Sequence, residues 1–255
     1  MPELIRIGMN RSNRGLCGLI DTVTIFRREV LRRYVNIAAV VVMITAGIAS
    51  GIESGVDESG LPLARQLDGL PPEARIAYLK HLISEGREDA EVCFQLAISF
   101  HGSGLVDSAL AWYDMTVKRD PKQYKAFVNL GIVYDEQGLA TQAERNFQIA
   151  VNLAPDDVLA NSHLAYMLFR RREYESAWDY LSHALAIDPN HSQPHFYLAI
   201  FFWESRMYRE ALDEWENVMA LDPDSYLGKK AEENIVILQK ALNASSLEGR
   251  WDPER

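Results

Sequence analysis

The sequence predicts an all-α protein: a right-handed α-solenoid of four tandem helix-turn-helix units with capping helices, preceded by one transmembrane helix. Three observations carry that fold class. Pro121, Pro155, Pro189 and Pro223 stand 34 residues apart. Columns of small and bulky residues recur at fixed offsets from those prolines. A run without charge, YVNIAAVVVMITAGIASGI, fills residues 34–52.

Of the 255 residues, 48% are hydrophobic and 24% charged, a balance of folded rather than disordered chains. The length accommodates one large or two small domains. Charge is unevenly spread: residues 1–34 hold seven Arg and three acids, net +4, whereas residues from 53 onward hold 19 basic and 33 acidic residues, net −14. The acidic part lacks the electrostatic footprint of a nucleic-acid binder, so no nucleic-acid partner is expected. Cys17 and Cys93 fall on opposite sides of the apolar run, which excludes a disulfide framework, and there is no CxxC or Cys/His cluster to hold zinc.

Residues 1–33 are basic and partly amphipathic. Leu19, Val23, Phe26, Val30 and Tyr34 recur at helical spacing between arginines, the pattern of a helix lying on an anionic leaflet. A poorly ordered tail is the other reading. The run 34–52 is just long enough to cross a hydrocarbon core of about 30 Å as a helix. Arg27, Arg28, Arg32 and Arg33 precede it, and Arg65 is the only basic residue in the twenty that follow. The positive-inside rule then sets the N-terminus in the cytoplasm and the rest outside, in the periplasm of a bacterium. A signal peptide cut after Ala49, or a later methionine as the true start, are competing readings. Gly47 and Gly51 form a GxxxG, the signature of a weak homodimer through the membrane helix.

Residues 53–71 read as a linker. Residues 72–86 read as an N-terminal capping helix with Pro72 near its start and Gly86 at its end. The four units cover 90–123, 124–157, 158–191 and 192–225. In the first helix of each, Leu96, Leu130, Leu164 and Leu198 align, followed by Ala97, Gly131, Ala165 and Ala199. In the second, Ala109, Ala143, Ala177 and Ala211 align, and four residues later stand Tyr113, Phe147, Leu181 and Trp215. Small residues let helices approach and large ones fill the neighbouring groove. Proline ends the second helix, because it lacks a donor and disfavours helix in the residue before it. A hairpin this short cannot bury its own apolar face, so units must stack. Residues 226–242 read as a C-terminal capping helix and 243–255 as a tail.

These columns resemble the tetratricopeptide repeat (TPR). The unit 124–157 matches best, with Leu130, Gly131, Tyr134, Ala143, Phe147, Ala150 and Pro155 in place. Elsewhere Phe100, Leu168 and Phe202 replace the tyrosine, while Thr116 and Val218 replace the second alanine. The resemblance implies that first helices line a ligand groove. On this chain that groove would carry Phe94, Ile98 and His101; Lys125, Val128, Asn129, Ile132, Asp135 and Glu136; Ser162, Tyr166, Phe169 and Arg170; and Phe196, Ile200, Trp203 and Glu204. The chaperone-tail binders of the family clamp a terminal carboxylate with lysine and asparagine. Phe94, Ile98, Val128 and Ile132 stand there instead, which argues against that ligand. The expected groove is apolar and aromatic, suited to a peptide or helix with hydrophobic anchors, with Asn129 free to hold its backbone.

No Gly-rich phosphate loop, Ser/His/Asp pattern or isolated carboxylate pair is present, so neither catalysis nor a cofactor is expected. His191 and His195 are spaced i, i+4, but Ser-Gln-Pro between them lacks a metalloprotease glutamate, and no metal site is expected. His101 and His163 read as ordinary repeat-surface residues. Arg170, Arg171 and Arg172 form a basic turn. The sequence thus points to a membrane-anchored scaffold or adaptor that holds other proteins, in a bacterial envelope assembly or maturation complex. The alternative is a membrane-bound targeting receptor whose array faces the cytosol.

Overall fold

The computed structural model describes residues 62–247, and side chains through residue 242. The apolar run 34–52, expected as a membrane helix, the basic segment before it and residues 248–255 lie outside the described residues. Among the described residues no helix is long and apolar enough to cross a membrane.

Among the described residues, those up to Gly86 and those from Arg87 onward form separate compact units. The first contains α1 (Leu63–Gln66) and α2 (Pro72–Ser84). The short α1 lies in what the sequence presents as linker. Pro71 precedes α2 in extended conformation, Pro72 occupies its first turn, and Gly86 follows it with φ +87°. Tyr78 Oη donates to Gln66 Oε1 at 3.1 Å and Arg75 Nε to the Leu70 carbonyl at 2.9 Å, tying the intervening turn down.

The second unit is a run of helical hairpins: α3 (Ala90–Gly102) with α4 (Val106–Arg119), α5 (Tyr124–Glu136) with α6 (Ala140–Leu153), α7 (Val158–Arg170) with α8 (Tyr174–Ile187), and α9 (Ser192–Glu204) with α10 (Tyr208–Leu221). Helix α11 (Tyr226–Leu247) closes it and runs past residue 242. Each first helix packs on its own second helix, and each second helix on the next helix along the chain. All-α architecture without strands thus holds throughout the described residues.

The start and stop signals act as local chemistry dictates. Asp89 Oδ1 caps α3 by accepting from Val92 N at 2.9 Å, and Asp157 Oδ1 caps α7 by accepting from Ala160 N at 2.8 Å. Asp120, Ala154, Asp188 and Asp222 leave helical geometry at the ends of α4, α6, α8 and α10, each directly before its proline. The repeat columns form the core. The second-helix alanines Ala109, Ala143, Ala177 and Ala211 are fully buried, as are Tyr113, Phe147 and Leu181. Thr116 buries its hydroxyl in place of an alanine, satisfied by donating to the Trp112 carbonyl at 2.9 Å.

Candidate peptide channel on the first helices

The first helices α3, α5, α7 and α9 carry every residue expected in the groove, but they do not present them alike. Phe94 is 6% exposed, Val128 4% and Phe169 7%, so these three are packing residues rather than ligand contacts. Phe94 lies 6.1 Å from the Tyr113 ring, and Phe169 stacks on Phe201 with centroids 3.9 Å apart. The reason is geometric. A first helix is flanked by its own second helix, the preceding hairpin and the next first helix, so its apolar stripe is wider than the face left to a ligand.

Ile98, Ile132, Tyr166, Phe196, Ile200 and Trp203 are half-buried, each with part of its surface open. Tyr166 stacks on Tyr197 at 4.5 Å and 7°, Phe196 meets Tyr197 edge-on at 6.3 Å, and Trp203 lies 5.6 Å from Trp215 and 5.7 Å from Tyr208. The apolar, aromatic groove expected from the sequence is thus divided into an aliphatic stretch in the first two hairpins and a half-buried, largely aromatic stretch in the last two. Asn129 donates its amide to the Lys125 carbonyl at 2.8 Å, one turn back on its own helix. Ser162 is buried, its hydroxyl turned to the Val158 carbonyl at 2.6 Å. Lys125 and Glu204 are exposed.

Charges gather at the C-terminal ends of the first helices. His101 Nε2 lies 3.0 Å from Glu136 Oε2, and Arg170 pairs with Asp135, each across 35 residues. Arg170 also lies over the Tyr166 ring at 5.6 Å. Neither pair is evident from any single unit. A search for complementary polar side chains at one repeat plus one residue would find both, since that offset joins neighbouring first helices. The basic turn is likewise answered by acids of the chain: Arg171 pairs with Glu144 and with Glu173, the latter at 2.7 Å.

Two histidines are half-buried rather than exposed on the repeat surface. His163 stacks on Phe147 at 4.8 Å and 7°, and a 2.8 Å hydrogen bond joins its Nδ1 to Tyr197 Oη. Burial lowers its pKa to about 4, so it stands neutral at pH 7. The surface assignment for His163 is thereby corrected. His195 Nδ1 lies 2.6 Å from Glu214 Oε2 and Nε2 lies 2.8 Å from the Pro189 carbonyl. Both partners are acceptors, so both nitrogens donate, and the Glu214 contact followed by the Pro189 carbonyl raises the pKa against burial. His191 instead caps α9, its Nδ1 accepting from Gln193 N at 3.2 Å. Among the described residues no group of His, Cys, Asp and Glu is arranged to hold a metal.

The arrangement can hold an extended or helical segment by apolar anchors along its middle and by charge at one margin. The tetratricopeptide repeat family model matches residues 128–192. No curated protein matches the chain. Among solved structures, a thermophilic TPR protein of Thermus thermophilus is similar, at 20% identity and TM-score 0.57, covering 69% of this chain and 95% of that one. MamA of Desulfovibrio magneticus RS-1, from residue 41 to its end, is similar at 24% identity and TM-score 0.50, covering 64% and 91%. Likeness at this level concerns the fold, and it agrees with the hairpin series built above. Residues 128–192 thus match the tetratricopeptide repeat model, and helical hairpins of the same 34-residue register continue on either side of them.

Proposed function

We propose that the chain is a protein-interaction scaffold that takes a peptide or helix of another protein along the first-helix channel. The half-buried stripe of Ile98, Ile132, Tyr166, Phe196, Ile200 and Trp203 supports this reading most directly. Apolar side chains that are neither sealed in the core nor scattered are the usual anchors of such recognition. The run 34–52 ties the scaffold to a membrane as a single-pass anchor, with the array periplasmic and serving an envelope assembly or maturation complex. The arginines before the run and their scarcity after it support that orientation.

Capture from native envelopes with the full chain tests the channel. Lys125→Glu and Glu204→Lys alter exposed channel charges without touching the core, and are expected to change the recovered partners. Recovery of an identical set with both variants would remove the channel from the function. A reporter fused after residue 255 tests the anchor: activity in the periplasm is expected, and activity in the cytosol would favour a targeting receptor instead.

A further inference from the structure

We propose a second docking site, in a cleft between α6 and the C-terminal end of α7, that takes an acidic peptide segment carrying an aliphatic side chain. The cleft encloses about 610 Å³, within the range of ligand pockets. Ile149 and Met167 supply apolar lining, while Arg145, Arg170 and Arg171 stand around it with Glu144 as its one acidic lining residue. Arg170 and Arg171 are paired with Asp135, Glu144 and Glu173, which leaves Arg145 as the lining cation without an ion pair among the described residues. The site is separate from the first-helix channel, since it is built on the exposed face of a second helix, and only Arg170 borders both.

The arginines are available to a ligand. Arg145 is exposed and has no ion-pair partner among the described residues. The side chains of Arg170 and Arg171 are 41% and 56% exposed, and ion pairs so open to water exchange readily for another carboxylate. Each guanidinium offers a planar fork that matches a carboxylate with two parallel hydrogen bonds. The recessed apolar lining gives an aliphatic side chain a place to desolvate, which a flat lipid headgroup surface cannot use. Charge and shape together select an acidic, aliphatic peptide.

Residues 53–61 of the chain itself, ESGVDESGL, have this chemistry, with Glu53, Asp57 and Glu58 beside Val56 and Leu61. A fluorescein-labelled synthetic peptide of that sequence serves as probe, read by anisotropy against the full chain in nonionic detergent. The same titration is run on the full chain with Glu53→Gln, Asp57→Asn and Glu58→Gln, so that its own segment cannot block the site. Saturable binding is expected in at least one of the two, weakened by salt. It should be at least about tenfold weaker with Arg145→Glu, at an unchanged thermal midpoint. Binding seen in the neutralised chain alone makes the chain's own segment the occupant.

Absence of binding in both, an affinity that Arg145→Glu leaves unchanged, or loss with Lys125→Glu in place of Arg145→Glu would overturn the proposal. So would Arg145-dependent binding of short-chain phosphatidylglycerol without binding of the peptide. None of these outcomes depends on whether the first-helix channel recruits a partner.

Discussion

Gly131 is the single glycine in a column otherwise filled by Ala97, Ala165 and Ala199, and Phe147 explains it. A Cβ at position 131 would sit 2.5 Å from the Phe147 ring, and that ring is fully buried with His163 stacked behind it. Gly131→Ala gains helix propensity of about 1 kcal/mol but loses more to overpacking, about 1–3 kcal/mol. A lowered urea midpoint is expected. Gly131→Ala combined with Phe147→Leu reproduces the Ala165/Leu181 pairing of the next hairpin and should restore part of that loss, which a double-mutant cycle measures. His163 gives the second residue-scale expectation. Its folded pKa lies at about 4, below the ordinary 6.5, so the unfolded chain binds more protons between those values. Stability is therefore full above about pH 6.5 and falls as pH drops toward 4, by at most ~3 kcal/mol. His163→Phe should flatten that slope in pH-dependent urea melts. His195 has the opposite sign: its raised pKa contributes stability below the unfolded value, lost as pH rises through the folded one. The Phe147–His163 stack was legible only as two separate residues, because a 34-residue alignment compares units and does not show which column of one meets which column of the next.

At the scale of elements, the turn between first and second helix demands a left-handed residue in every hairpin. Gly104 and Gly138 supply it at φ +73° and +74°, whereas Arg172 and Arg206 adopt +67° and +62°. An L side chain in that conformation costs roughly 1–2 kcal/mol. Arg172→Gly and Arg206→Gly are each expected to stabilise the fold by about 1 kcal/mol, less the extra entropy of glycine in the unfolded chain, seen as a raised thermal midpoint. Helix ends and hairpin order were readable because proline and capping aspartates act through local chemistry that a sequence displays. The channel was less readable for the reason Phe94, Val128 and Phe169 show. All three fall on the expected ligand face, yet burial depends on how far the adjacent helix leans over that face, and a repeat pattern does not encode the lean. The His101–Glu136 contact and the Asp135–Arg170 ion pair lie in the same gap between what one unit displays and what two units build.

For the whole molecule, the described hairpins pack on themselves and on their neighbours, so stability accumulates by nearest-neighbour contacts. Helix α11 ends the series by burying Ala231 and Leu238 in the cluster that contains Trp215 and Val218. Ending the chain after residue 225 would bare that cluster. The expected outcome is a lowered thermal midpoint with dye-binding apolar surface, whereas an unchanged melt would assign α11 no capping role.

The aromatic contacts are not shared evenly along the array. Between the third and fourth hairpins, Tyr166 stacks on Tyr197, Phe169 on Phe201, and His163 bonds to Tyr197. Between the first and second, a hydrogen-bond contact joins His101 Nε2 to Glu136 Oε2 at the channel margin, 3.0 Å apart. Pulled from its two ends, such a chain of joints would not stretch uniformly: the joint without stacked rings at its margin would yield first and the stacked one last. A partner lying along the channel would thus rest on a stiff C-terminal cradle and a compliant N-terminal one.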